Sequence, residues 1–133
     1  MNAIHRLHIQ LHSHVRRLNL QFDRLGLANR QFQADGALGG AKLSLPQGLA
    51  MTATGDIYIS DLSNYRIRKL SGDALTTVVG SGEGGYLDSD DKLAAEVYGL
   101  EGLSLKADGS MMFIADGGRG EGVPFNRIRS VKM

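Results

Sequence analysis

Four stretches of this chain carry side chains that could do chemistry. His5, His8 and His12 stand three and four residues apart, a spacing that gathers side chains on one helix face and suits shared metal ligation. No Cys and no nearby Glu completes a ligand set, so a solvated polar face is the preferred reading. The loop Glu83-Gly-Gly-Tyr-Leu-Asp88-Ser-Asp90-Asp91 offers oxygens that calcium accepts. It lacks the D-x-D-x-D-G alternation of an EF-hand and Lys92 follows directly, so turn-forming, solvated carboxylates account for it better. Gly117-Gly-Arg-Gly-Glu-Gly-Val-Pro124 has the glycine density of a phosphate loop, but no G-x-x-x-x-G-K-[ST] and no following helix. Asp61 and Asp116, with Arg66, Arg68, Arg127 and Arg129 after them, form an acid and base set at matching places. Recurrence favours scaffold: Asp caps a turn, and the Arg side chains cover surface or pair locally.

The element that must position these residues runs from Leu45 to Leu70, LPQGLAMTATGDIYISDLSNYRIRKL. Its apolar residues alternate at period two and its punctuation is turn chemistry, with Gly55 free to take positive φ. Strands are expected at about 48–52, 57–60, 65–70 and, after Ser71-Gly72-Asp73, 74–79. A second copy follows. Phe32 answers to Tyr86, Ala41 to Ala95, Leu43 to Val97, Gly48 to Gly102 and Gly55 to Gly109, each pair 54 apart. The run Gly48 to Asp61 returns as Gly102 to Asp116 with one residue inserted, and Asn64-Tyr65-Arg66-Ile67-Arg68 returns as Asn126-Arg127-Ile128-Arg129. In the second copy Gly117–Phe125 replaces the two-residue turn between Asp61 and Asn64. Four antiparallel strands per repeat, arranged radially, make the blade of a β-propeller. Leu49, Met51, Ile57, Ile59, Ile67, Val78, Leu103, Leu105, Phe113 and Ile128 are the expected core.

At 133 residues the chain is within the size of one domain, and its net charge of +1 creates no global field that points to nucleic acid. The charge is uneven: residues 1–30 hold five Arg and one Asp, net +4, while residues 31–133 hold ten bases and thirteen acids, net −3. With no cysteine there is neither a disulfide framework nor thiolate chemistry. No apolar run approaches the ~20 residues a membrane helix needs. Residues 1–30 support two periodicities. A helical stripe of Ile4, Leu7, Leu11, Val15, Leu18, Phe22 and Leu25 is favoured over alternating strands at Leu7, Ile9, Leu11 and Leu18, Leu20, Phe22. This basic extension also has the amphipathic, Arg-rich profile of a mitochondrial targeting peptide, although it is poor in Ser. The compartment is otherwise open, with an intracellular one favoured.

The residues from Pro46/Gly48 through Gly55–Asp61, Asn64–Lys69 and Thr76–Gly80 resemble the NHL repeat: P-x-G-[LV]-A, G-[DN]-[ILV]-Y-[IV]-[AS]-D, N-x-R-I-R-K and T-T-[VL]-x-G. The second copy departs from the pattern at Leu100 in place of Pro, at Met111-Met112-Phe113, and in its enlarged loop. Gln31 to Leu43 resembles the linker at the tail of a preceding repeat. The resemblance covers about residues 31–133, with repeats at about 41–80 and 95–133, and it implies an all-β fold: a partial propeller of one complete blade and one lacking its last strand. Closed propellers use at least four blades, so part of a larger protein, a ring closed by several copies, or a marginal remnant is expected.

The function expected is a non-catalytic interaction or scaffold module that binds a protein or peptide through a propeller face. The insertion is the candidate contact, through Arg119, Glu121 and Phe125, since blade insertions map to one face. Gly48, Gly55, Asp61, Asn64, Arg66, Gly102, Gly109, Asp116, Asn126 and Arg127 are expected to be structural. One alternative is a propeller enzyme of the lyase or lactonase kind, completed by other chains. The resemblance implies zinc held by His from several blades in the lyase of peptide amidation, whereas no His follows His14 here. The other alternative is RNA binding, disfavoured by the net −3 of the repeat region and by the absence of stacking aromatics beside basic clusters. No metal or cofactor is expected.

Overall fold

The computed structural model describes residues 35–37, 40–118 and 126–133. The helix, histidine cluster and targeting profile read into residues 1–30 lie outside these residues, as do Arg119, Glu121 and Phe125. Among the described residues eight strands follow one another: β1 (Gly36–Ala37), β2 (Pro46–Met51), β3 (Ile57–Asp61), β4 (Arg66–Ser71), β5 (Ala74–Val79), β6 (Leu100–Leu105), β7 (Met111–Asp116) and β8 (Arg127–Lys132). They form two antiparallel sheets, ordered β1-β5-β4-β3-β2 and β6-β7-β8. The first is the complete blade and the second is the blade without its fourth strand, as the repeat implies. β1 is an addition that the sequence pattern did not reveal: two residues of the leader pair with the outermost strand, Gly36 opposite Leu75 and Ala37 opposite Ala74.

The hairpins form where the turn residues allow. Between β2 and β3 the Thr52 and Gly55 N–H groups donate to Asp56 O at 2.9 Å and Thr52 O at 3.1 Å, closing a turn with Gly55 at φ 94°. Gly109 repeats this between β6 and β7 at φ 72°, a conformation that costs any residue with a Cβ. Between β3 and β4 a single 3-10 turn, Leu62–Asn64, ends on Tyr65 at φ 51°, a left-handed conformation rare for a bulky side chain.

Register then sorts side chains by face. Met51, Ile57, Leu70 and Leu75 lie opposite one another across the first blade. They share its leader-side face, where Ala41, Leu43, Ile57, Ile59, Leu70 and Leu75 form one buried cluster. The other face presents Tyr58, Ile67 and Val79, which pack with Leu62 against Val97, Leu100, Met112 and Ile114 of the second blade. Each fully buried aliphatic side chain here contributes about 1.5–3 kcal/mol.

The expected core needs three corrections. Leu49 is 47% exposed, Phe113 40% and Ile128 76%. Phe113 and Ile128 occupy the places of Tyr58 and Ile67 in the repeat, which are buried because the second blade covers them. Among the described residues nothing covers the equivalent face of the second blade. In β7 the buried residues are instead Met112 and Ile114, on the face turned to the first blade. Leu49 lies on the innermost strand, at the sheet's edge.

The two blades meet closely along their inner strands at Gly48. A Cβ there would lie 2.7 Å from Ser60 Oγ, 2.9 Å from Glu101 O and 3.1 Å from Gly102 Cα. Two of these three atoms are backbone of β6 and cannot rotate aside. Gly102, the same position in the second copy, has room: its Cβ would meet only Ala115 Cβ, at 3.6 Å. Gly48→Ala is therefore expected to lower stability by about 1–3 kcal/mol. Gly102→Ala is expected to cost less than Gly48→Ala. Urea denaturation of both variants checks this, and equal losses would contradict the close approach.

Candidate functional site

Two buried ion-pair clasps, one per blade, set the geometry of the rim. At the end of β3, Asp61 is fully buried and accepts from Ser44 N–H at 2.6 Å, Asn64 Nδ2 at 2.7 Å and Arg68 Nη1 at 2.9 Å. Arg68, 1% exposed, also donates to Lys42 O at 3.1 Å and through Nη2 to Asp35 of the leader. Asp35 in turn accepts from both the N–H and the hydroxyl of Thr77 on β5, each at 2.9 Å. One guanidinium thus joins leader, second strand, third strand and, through Asp35, the fourth. In the second blade Asp116 accepts from Tyr98 N–H at 3.0 Å, Gly99 N–H at 2.8 Å and Arg129 Nη1 at 2.9 Å. Arg129 reaches on to Asp88 and to the carbonyl of Leu87.

The reading in which Asp caps a turn is corrected by this geometry. The Asp61 side chain makes no cap bond to the 3-10 turn; it accepts from Ser44, Asn64 and Arg68. Arg68 pairs locally with Asp61, one of the two expectations for the Arg side chains, and does so in the core rather than on the surface. Burial pushes the Asp61 carboxyl above its ordinary range, and the bonds from Asn64, Ser44 and Arg68 only partly oppose that. For Asp35 burial also pushes upward, but the Thr77 bonds and the Arg68 charge outweigh it and hold the carboxyl below the usual range. Arg129 is held above its ordinary value: burial works against its charge, but its bonds to Asp116 and Asp88 prevail.

Above the clasps, at the end of the blades where β3 and β7 finish, the tyrosines gather. Tyr65 and Tyr98 stack with ring centroids 5.8 Å apart and planes 14° from parallel. Tyr86 leans on Tyr98 at 5.7 Å and 45°, and the Arg127 guanidinium lies 5.2 Å from the Tyr86 ring centroid. Arg66 donates to Ser81 O at 2.9 Å beside them. This half-buried aromatic and basic rim corrects the premise that no stacking aromatics adjoin basic residues. The tyrosines come from the β3–β4 turn and from two places in the linker that precedes β6, so only the fold unites them.

The other sequence candidates are placed as follows. Gly118 and Asn126, which flank the undescribed part of the insertion, lie at this same end, with Gly118 N–H donating to Asn126 Oδ1 at 3.0 Å. Of the acidic loop, Asp88 is engaged by Arg129 and Asp91 accepts from Leu93 N–H at 3.0 Å. Among the described residues no three His, Cys, Asp or Glu side chains come together in a way that could hold a metal.

Two consecutive antiparallel blades, packed face to face with their inner strands in contact, define part of a β-propeller. Residues 43–70 match the NHL repeat. In fold the chain is similar to an auxiliary nutrient binding protein from Bacteroides thetaiotaomicron, with TM-score 0.56 and 25% identity, covering 68% of this chain and 24% of that one. It is similar as well to a protein of unknown function from the same organism, with TM-score 0.59, 23% identity and coverage of 66% and 22%. A third similar structure is an auxiliary nutrient binding protein from Bacteroides ovatus, with TM-score 0.56, 22% identity and coverage of 69% and 25%. The chain spans about a quarter of the length of these proteins. No curated protein matches it.

The clasp makes two measurable demands. Arg68→Met leaves a fully buried carboxylate without its cation and is expected to cost about 3–5 kcal/mol in urea denaturation at neutral pH. Adding Asp61→Asn to that variant is expected to recover part of the loss, because the stranded charge is then gone. The second demand concerns pH. A carboxyl depressed in the folded state contributes stability that is complete above its unfolded value of 3.8 and lost as pH falls through the folded value. Asp35→Asn is therefore expected to flatten the acid-side decline in melting temperature below about pH 4 relative to the parent. An unchanged acid limb would contradict the assignment.

Proposed function

We propose that the chain is a non-catalytic binding module that engages a protein or peptide through the rim built by Tyr65, Tyr86, Tyr98, Arg66 and Arg127. The observation that carries this is the Tyr65–Tyr98 stack, held by a tyrosine in a left-handed backbone conformation. That conformation costs about 1–2 kcal/mol, and it sets the ring beside two other tyrosines and a guanidinium. Tyrosine and arginine are the side chains that dominate protein recognition energetics, because they offer large rigid area with a polar end. The nutrient binding protein that shares 25% identity supports a binding role in general.

The same rim also suits single-stranded RNA, for which stacking on aromatic rings beside arginine is the usual physical basis. The neighbouring acids favour polypeptide. Glu83, Asp88, Asp90 and Asp91 follow one another in the linker that carries Tyr86, and a phosphate backbone would be repelled there.

Selection of a random peptide library on the immobilised chain tests the reading. Selected peptides are expected to bind Tyr98→Ala and Arg127→Ala at least about tenfold more weakly. Binding to Lys106→Ala, in the turn at the opposite end, is expected to be unchanged. Peptides indifferent to both rim substitutions would reject the rim as the site. A salt-sensitive shift of single-stranded RNA, lost in Tyr98→Ala, would favour the nucleic-acid reading instead.

A further inference from the structure

The linker that follows β5 frames the tyrosine rim with glycines, and one residue between them bears a charge. Gly82 lies across the Arg66 guanidinium, where a Cβ would stand 2.7 Å from Cζ. Gly84 lies against the stack, where a Cβ would stand 2.8 Å from Tyr65 Cε1 and 3.1 Å from Tyr98 Cδ2. Glu83 sits between the two, and its N–H donates to Ser81 Oγ at 3.2 Å. Its backbone is thus fixed beside the rings. Its side chain is exposed, and among the described residues its carboxylate meets no donor.

The contacts order the rim into a row: Arg127, Tyr86, Tyr98, Tyr65 and, at the far end, Glu83. Successive ring centroids are 5.7 Å and 5.8 Å apart. Two residues of a left-handed polyproline helix advance about 6 Å, whereas two residues of a strand advance roughly 7 Å. The linker also spends its own ladder groups. The N–H groups of Gly80, Ser81, Gly85 and Glu96 donate to the carbonyls of Lys92, Ala95, Val97 and Leu87, and those of Tyr98 and Gly99 go to Asp116. Recognition along this row therefore rests on ring faces rather than on strand addition.

We propose, resting on the rim reading above, that the segment bound here is a polyproline stretch led by Arg or Lys, with its prolines on the three tyrosines and its base paired with Glu83. Such a helix has no internal hydrogen bonds and little freedom left to lose, which suits a half-buried surface of rings. Charge sets its direction: Glu83 draws the cation to the Tyr65 end, and Arg127, 5.2 Å from the Tyr86 centroid, repels it from the other.

The test uses the full chain and a fluorescein-labelled peptide, Arg-Pro-Pro-Pro-Pro-Pro-Pro, in fluorescence anisotropy. Saturable binding is expected, and at least about tenfold weaker binding both in Tyr98→Ala and for a peptide with Ala in place of every Pro. Glu83→Gln, an exposed substitution, is expected to weaken the Arg peptide about threefold and to leave a peptide with Gln in place of its Arg unaffected. No saturable binding overturns the proposal, and so does binding that is equal for the proline and alanine peptides or indifferent to Glu83. Binding that Tyr98→Ala does not weaken overturns it too and counts against the rim itself. Library peptides that need Tyr98 and Arg127 but carry neither proline nor a base leave the rim reading standing and overturn only the ligand class assigned here.

Discussion

The fold depends on a buried charge pair repeated once per blade. Taking a carboxylate and a guanidinium out of water costs several kcal/mol per ion, and only close geometry with additional bonds offsets that. Asp61 and Arg68 meet this condition: the acid accepts from three donors, and the base reaches Lys42 O and Asp35 as well. Such a pair is intolerant of slippage. If β4 moved one residue against β3, Arg68 would pass to the other face and Asp61 would stay buried without its cation. The clasp thus selects one register for the sheet. Through Lys42 and Asp35 it also fixes where the leader lies. The apolar clusters provide most of the driving force, but a slip of two residues would keep every side chain on its own face. The charges discriminate between such registers.

The second constraint is that a blade has two apolar faces and no way to cover both by itself. Ile67 and Ile128 make the point. Both follow the first Arg of an Arg-Ile-Arg run on the third strand, yet Ile67 is fully buried and Ile128 is 76% exposed. The difference is the neighbour. Blade two supplies Val97, Leu100, Met112 and Ile114 to blade one, and among the described residues nothing is supplied in return on its far side. Burial in a radial repeat is therefore a property of adjacent units rather than of a strand's own pattern.

That explains which parts of the structure were legible in the sequence. Strand positions and the hairpin turns at Gly55 and Gly109 follow from local residue types and a period of 54, and they needed no knowledge of neighbours. Phe113 and Ile128 were expected inside because their alternation matches Tyr58 and Ile67, and alternation cannot say whether a covering blade is present. The choice between Arg66 and Arg68 was equally hidden. Both sit on alternate positions after Asp61, and what makes Arg68 the buried partner is Asp35, 33 residues earlier. The counterpart pair Asp35 and Asp88 falls at 53 rather than 54, so the regular spacing passed over it. Tyr65, Tyr86 and Tyr98 belong to a turn and a linker, where residue type gives no hint that they stack.

The two clasps differ in one respect. Asp35 has its Thr77 partner, and Asp88 has none among the described residues, although the arginine holding each is the same residue in the repeat. Asp88 is not needed to neutralise Arg129, because Asp116 already does so at 2.9 Å. What Asp88 adds is a second tie from Arg129 to the linker before β6, where the same guanidinium also donates to Leu87 O at 3.0 Å. Repetition therefore serves as a local control: the corresponding arginine of each blade is tied to the segment that leads into it, by Asp35 in the first and by Asp88 in the second.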